Sequence, residues 1–320
     1  MSKHTNTYSQ KFNVLGDVLD TLRFRGSVFF RSKLAAPWGM SLSKADSPRF
    51  HIALKGNFVI GAADDENDDG IVDVNQMDII MLPNGNEHWI ADQKDSQLIP
   101  SEEAGRACEL GNPLFQRGEI TNKLICGQVE YDREISHPIL DSLPSVMHFP
   151  NVGETSTIWM TVMLIDAEMQ MEDNPTPIID RLTEVLFLQL LNNHIRDNKE
   201  AGGFFAALRD QRVCRALELI HQNPQFLWSL EQLGEKVGMS RATLNRKFKE
   251  FVGVPPMTYV SHWRLMKSHN LLKYSSYSVE HIAELVGFAT ARTLNKAFQR
   301  NYGYTPNELR KNTVPSIMGE

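Results

Sequence analysis

The sequence predicts an α+β multidomain chain: a β-rich amino-terminal part, a pair of longer helices, and an all-helical carboxy-terminal part made of one unit used twice. Three observations predict it. Short β-type runs recur between residues 22 and 132 with turn residues between them. A helix, glycine and helix pattern occurs twice between residues 229 and 306. The formal net charge of -6 also divides unevenly: residues 1–210 hold 18 Lys+Arg against 31 Asp+Glu (-13), and residues 211–320 hold 15 against 8 (+7). A length of 320 residues suits two or three domains, and 42% hydrophobic with 22% charged residues excludes a disordered chain.

The amino terminus, MSKHTNTYSQKF, lacks the apolar run of a secretory signal, and the dense apolar stretch Ile158–Ile165 is far short of the roughly 18–20 residues of a membrane span. A cytoplasmic protein with no membrane partner is expected. Cys108, Cys126 and Cys214 are odd in number, far apart and without a CxxC pair, which argues for free thiols rather than a disulfide framework or zinc finger.

Strands are expected at Ser27–Phe30, His51–Leu54, Phe58–Gly61, Ile71–Val74, Ile79–Leu82, His88–Ala91 and Leu124–Glu130, a spacing that suits a sandwich or barrel. The stretch MDIIMLPNGNEHWI from Met77 resembles the second motif of the cupin barrel, with Pro83, Gly85 and His88 at matching positions and Met where that motif usually begins with Gly. The resemblance implies a cupin-like barrel over residues 10–150. Cupin metal sites draw an HxH pair and a carboxylate from the first motif and a histidine from the second. Here only His51 and His88 remain, too few for a three-ligand site, so no metal and no cofactor are expected. Both histidines are instead candidate effector-binding residues lining a pocket, or hydrogen-bonded barrel residues.

Asp65, Asn67, Asp69, Gly70 and Asp73 have the oxygen-rich spacing of a calcium loop, but Gln76 stands where a bidentate glutamate belongs. The reading preferred is an acidic, solvated hairpin tip. Cys126 lies on an expected strand, as a buried inert thiol would.

Residues 151–198 hold two expected helices, Glu154–Met171 and Pro177–Arg196. Ile178, Ile179, Leu182, Val185, Leu186, Leu190 and Leu191 give the second a broad apolar face, which serves either a homodimer or the barrel of the same chain. Polar Asp197–Gly203 ends in paired glycines and predicts a linker over 199–209.

The repeat defines residues 210–312. The segment from Ser229, SLEQLGEKVGMSRATLNRKFKEFVGVPP, aligns with that from Ser278, SVEHIAELVGFATARTLNKAFQRNYGYTP, with eleven identities after one inserted residue. Leu230, Leu233 and Val237 form one helix face, Ser229 and Gln232 a capping box, and Gly238 a left-handed stop. In the second helix Leu244, Phe248 and Phe251 are expected inward, leaving Arg241, Ala242, Asn245, Arg246 and Lys249 outward. The second copy places Ile282, Leu285, Leu294 and Phe298 inward and Thr290, Arg292, Asn295, Lys296 and Gln299 outward. A helix, glycine turn and basic second helix is the helix-turn-helix arrangement, whose second helix enters the DNA major groove. There arginine bridges guanine, asparagine pairs with adenine and alanine touches a thymine methyl. Lys247, Lys249, Lys267 and Arg300 are expected on phosphate. Pro256–Lys273 reads as one connecting helix of about 25 Å, able to offer two recognition helices to successive grooves.

Residues 210–312 resemble the DNA-binding domain of the AraC/XylS family of transcriptional regulators, through EKVGMSRATLNRKFK, AELVGF and TLNKAFQRNYGYTP. By that resemblance, base reading falls on Ala242, Asn245 and Arg246 in the first unit and on Ala291, Arg292 and Lys296 in the second. Two of those six are alanine, where the family often has larger side chains. RFRGSVFFRSKLAAPWGM, FHIALKGNF, LICGQVEYD and HPILDSLPSVMHF resemble the cupin-like sensor domain attached to one branch of the family. The resemblance implies a sequence-specific regulator, an activator, with no enzymatic activity. Its implied partners are double-stranded promoter DNA, RNA polymerase, a small-molecule effector and a second copy of the chain. The alternative is a metal-dependent cupin enzyme with an accessory DNA-binding module. A third class, DNA repair by methyl transfer to cysteine, needs an activated thiol, a context Cys214 lacks in the sequence.

Overall fold

The computed structural model describes residues 14–62, 70–171, 176–198 and 202–313. The chain divides into two compact units. One comprises Phe24–Tyr131 and Leu143–His194; the other comprises Met1–Arg23, Asp132–Ser142 and Ile195–Glu320.

The first, a barrel unit, carries β1 (Arg25–Leu34), β2 (Gly39–Leu42), β3 (Arg49–Lys55), β4 (Phe58–Ala62), β5 (Ile71–Val74), β6 (Ile79–Leu82), β7 (His88–Ala91), β8 (Ile99–Pro100), the helix α2 (Ser101–Glu109), β9 (Asn122–Glu130) and β10 (Met147–Phe149). They form two five-stranded sheets, β1-β9-β3-β6-β10 and β5-β4-β7-β2-β8. The expected strands are present, while β2, β8, β10 and α2 were not anticipated. Their sequences are too short or too polar to show a period. Between the sheets lie Trp38, Phe58, Ile60, Ile80, Leu82 and Leu124, all buried. Gly127 of β9 admits the Phe50 ring: a Cβ there would stand 2.2 Å from Phe50 Cζ. Asp65, Asn67 and Asp69 of the candidate calcium loop lie outside the described residues; Gly70 and Asp73 belong to the β4–β5 hairpin, where Val59 faces Asp73.

The same unit holds α4 (Thr157–Glu168) and most of α5 (Thr176–Asp197). Arg31 of β1 donates to Asp166 of α4 at 2.6 Å. Ile179, Leu186, Phe187, Leu190 and Leu191 are buried, whereas Ile178 and Val185 on α5 and Met160, Met163 and Leu164 on α4 are exposed.

The second, helical unit contains α1 (residues 14–22), α3 (Pro138–Asp141), α6 (Gly203–Arg209), α7 (Gln211–Gln222), α8 (Leu230–Val237), α9 (Arg241–Val252), α10 (Pro256–Tyr274), α11 (Val279–Val286), α12 (Ala291–Tyr302) and α13 (Pro306–Thr313). The expected boundaries change in three places. Residues 203–209 of the expected linker are the helix α6, because Phe204, Phe205, Ala207 and Leu208 are all buried. Residues 14–23 and 132–142, both read as part of the barrel, belong to the helical unit. Nineteen residues at 1.5 Å make α10 about 28 Å long. Its Tyr259, Val260, Trp263, Met266, His269 and Leu272 are buried, so it forms the spine of this unit.

Candidate nucleic-acid interface and barrel cavity

Each half of the repeat is built by local rules. In the first, Ser229 and Gln232 form the capping box that starts α8, and Gly238, at φ +66°, ends it. Ser240 caps α9 through the Thr243 amide. Leu244, Phe248 and Val252 are the buried residues of α9. Val252 therefore takes the inward place expected of Phe251, because i, i+4 and i+8 hold one stripe; Phe251 is half-buried under Lys247. In the second half Ser278 caps α11, Gly287 ends it at φ +87°, and Thr290 with Thr293 caps α12. Ile282, Ala283 and Val286 are buried, while Leu285, expected inward, is 39% exposed. The stripe on this short helix runs i, i+1 and i+4, which turns Leu285 outward.

The opposite faces carry the candidate base readers. Arg241, Ala242, Asn245, Arg246 and Lys249 on α9 are exposed, as are Arg292, Lys296 and Gln299 on α12; Ala291 and Asn295 are half-buried. Thr290 is exposed, but its hydroxyl accepts the Thr293 amide at 3.2 Å and so serves the helix start. Among the described residues Arg246 pairs with the exposed Glu250 at 3.4 Å, a weak restraint in water.

Of the four expected phosphate contacts, Lys249 and Arg300 are exposed, but the other two are engaged elsewhere. Lys247 pairs with Asp210, the cap of α7, at 2.8 Å. Burial alone would raise the Asp210 carboxyl; Lys247 and the two capped amides outweigh it and hold the group below its ordinary range. Lys267 lies over the Trp263 ring at 5.0 Å, and burial lowers its pKa despite Asp17 and Asp20.

Two polar clusters were invisible to sequence reasoning because their members lie far apart along the chain. In one, Ile139 donates to His137 Nδ1 at 3.1 Å, so the neutral ring carries its proton on Nε2 and donates it to the Tyr259 hydroxyl at 2.9 Å. Tyr259 then donates to His221 Nε2 at 2.8 Å, which leaves His221 Nδ1–H facing Asp17 at 3.6 Å. Burial lowers the pKa of both histidines and raises that of Tyr259. In the other cluster Lys273 stands 2.9 Å from Asp132 and 3.1 Å from Glu134. Burial alone would lower the Lys273 ammonium, but these hydrogen bonds push it up to about 12. Among the described residues, Asp132, Glu134 and His269 are the group spaced to share a metal ion. The ammonium of Lys273 already fills the cation's place.

In the barrel, His51 and His88 meet. His88 Nδ1 donates to the Asn86 carbonyl at 2.7 Å, which leaves its Nε2 to accept from His51 Nε2 at 2.8 Å. His51 Nδ1 is then an acceptor, and the Cys126 thiol donates to it at 3.0 Å. Every proton on this line is placed by its neighbour. Burial, and secondarily His88 and Arg49, lower His51 well below its usual range; burial, only partly countered by the Asn86 carbonyl, lowers His88 to about 4. Burial also pushes Cys126 up to about 12, so its thiol is inert at neutral pH. Beside Cys126 is a cavity of about 320 Å³ with Phe30, Met40, Leu42 and Ile90 on its apolar walls and Arg49 among its polar ones. Neither histidine is part of that lining; they stand behind the Cys126 thiol.

The class defined by these parts is a regulator with a double helix-turn-helix and a barrel. The family model described as Cupin matches residues 13–196, more than half the chain, and the one described as Helix-turn-helix domain matches residues 233–312. The chain belongs to the cupin family and is a DNA-binding transcriptional regulator of the AraC/XylS type. The HTH-type transcriptional regulator AlkR of Acinetobacter baylyi is 24% identical over 93% of this chain and 99% of its own. An uncharacterized HTH-type regulator of Haemophilus influenzae is 29% identical over 92% and 98%. Among solved structures, the DNA-binding domain of AdpA in complex with a target DNA is 26% identical, covers 31% of this chain and 88% of that one, and has a TM-score of 0.30. Among the described residues no helix is long and apolar enough to cross a membrane.

Proposed function

We propose that this protein binds promoter DNA by inserting α9 and α12 into major grooves and activates transcription by RNA polymerase, under the control of a small molecule held in the barrel. The observation that carries the reading is the duplicated glycine-turned helix pair, each half with an exposed cationic second helix. Asn245 and Arg246 read bases in the first unit, Arg292 and Lys296 in the second, with Arg241, Ala242, Ala291 and Asn295 beside them. Lys249 and Arg300 meet phosphate. A regulator that binds DNA works in the cytoplasm. The effector shifts the population of the DNA-competent arrangement through its different affinities for the two states.

The barrel carries no catalytic step in this reading, because His51 and His88 spend their Nε2 atoms on each other. Met160, Met163 and Leu164, an i, i+3, i+4 stripe left exposed on α4, suit a homodimer.

The test is fluorescence anisotropy with a DNA site selected from genomic fragments, at fixed salt. Arg292→Ala and Arg246→Ala should each weaken specific binding by roughly 5- to 150-fold, about 1–3 kcal/mol, and relax base preference. Unchanged specific binding in both variants would overturn the assignment of α9 and α12 as readers.

A further inference from the structure

We propose that the barrel cavity is a site for a small organic monoanion, an apolar body ending in a carboxylate that Arg49 holds. The inference rests on the reading of the barrel as a sensor and names the ligand chemistry of that site.

Arg49 begins β3 and lies beside Gln128 of β9 in the ladder. One terminal nitrogen, Nη1, donates to the Ser43 carbonyl at 2.7 Å. Its Nε is buried and has no acceptor among the described residues. No carboxylate among them lies within ion-pair distance of the guanidinium. Glu102, the acid that acts on it, is exposed and accepts a long hydrogen bond from Ser43. A half-buried guanidinium with a desolvated, unused N–H is costly to keep. It is the donor that a planar anionic acceptor suits best.

A second feature points the same way. Helix α2 starts at Ser101, which lines the cavity, with Pro100 at the cap and no side chain accepting its first amides. Free N–H groups and the positive end of the helix dipole attract an anion, moderated by Glu102 and Glu103 in that turn.

The remaining walls are mostly apolar, through Phe30, Met40, Leu42 and Ile90, with Gln128 and the exposed Glu102 as their polar members. Cys126 turns its proton toward His51 and so shows the cavity a sulfur without charge. A volume of about 320 Å³ is at the lower end of the roughly 300–1,000 Å³ of small-molecule sites, which limits the ligand to a short chain or a single ring.

Full-length protein is titrated by calorimetry with octanoate and octanamide, and with benzoate and benzamide; octylamine tests charge sign. At least one carboxylate should bind ten or more times more tightly than its amide, and octylamine should not bind. Arg49→Gln should reduce carboxylate binding at least tenfold to the level of the amide, and Arg49→Lys should restore part of it. Cooperative melting at an unchanged temperature certifies both variants as folded. Equal binding of acid and amide, no binding of either acid at millimolar concentration, or indifference to Arg49→Gln would overturn the anion site. The sensor reading fails separately. An Arg49-dependent carboxylate that leaves DNA affinity unchanged keeps the site and removes its regulatory role, whereas acid and amide that shift DNA affinity equally keep the sensor and remove the anion preference.

Discussion

Replacing Tyr259 by Phe deletes one oxygen from the centre of a fully buried polar line and leaves the ring, and its packing, in place. Two groups then lose their partners: the His137 Nε2–H, which donates to the hydroxyl at 2.9 Å, and the His221 Nε2 lone pair, which accepts from it at 2.8 Å. Both rings are buried, and the His221 ring is stacked on Trp263 at 3.6 Å, so neither turns to water without breaking other contacts. An orphaned buried polar group costs about 1–3 kcal/mol, so two should cost about 3 kcal/mol after partial relaxation. At roughly 2–4 °C per kcal/mol for a unit of this size, the helical unit should melt about 6–12 °C lower. Differential scanning calorimetry of the full chain reads this directly. A second comparison guards against a general packing defect: Tyr259→Phe in a His137→Phe background should cost clearly less than it does alone, since one orphan has already gone. A shift below 1 °C, or strict additivity of the pair, would refute the donor and acceptor order assigned to this line.

Acid should weaken the barrel unit. Folded His88 titrates near 4 and the unfolded group near 6.5, so between those values the unfolded chain takes up a proton that the folded one does not. The stability contributed by neutral His88 is complete above about pH 6.5 and falls as pH drops toward 4, by about 3 kcal/mol in all. His51 acts in the same direction. Urea midpoints measured at pH 7, 5.5 and 4.5 should fall with pH and fall less in His88→Asn; parallel slopes would contradict the assignment. The two turn glycines should differ under one substitution. A Cβ at Gly287 would stand 2.7 Å from Gln225 Cα and the Pro224 oxygen, whereas nothing lies within 4 Å of one at Gly238. With the left-handed backbone costing both about 1 kcal/mol, Gly287→Ala should lower the melting temperature at least twice as far as Gly238→Ala, and equal shifts would show that the close approach does not matter.

What could be read in advance was local. The caps at Ser229, the glycine stops at 238 and 287, and the stripe of Leu244 and Phe248 depend on residues a few places apart, and the structure holds them as expected. Failures came at two scales. Short stretches gave too few turns to fix a face, so Phe251 and Leu285 were turned the wrong way, and the glycines before Phe204 masked a buried helical turn. Long separations gave no signal at all. His137 and Tyr259 are 122 residues apart, and Asn270, which donates to the Thr21 carbonyl, is 249 away from it. The His51 and His88 pair was identified by motif, but its contact with Cys126 and the idle Nε of Arg49 follow only from the register of β3 against β9.

The helical unit is assembled from three separate stretches of chain, ending at Arg23, running over Asp132–Ser142, and beginning at Ile195. Asp132 donates its amide to the Leu22 carbonyl, and both early stretches reach α10, through Asn270 and Lys273. Moving residues 195–320 as one cassette would leave these polar groups on α7 and α10 without their partners. Recombination that exchanged sensors by a single crossover near residue 200 would sever Tyr259, His221 and Lys273 from the pieces that satisfy them. An exchange of sensors that keeps those groups satisfied has to carry the two short upstream segments along with the reading head they complete.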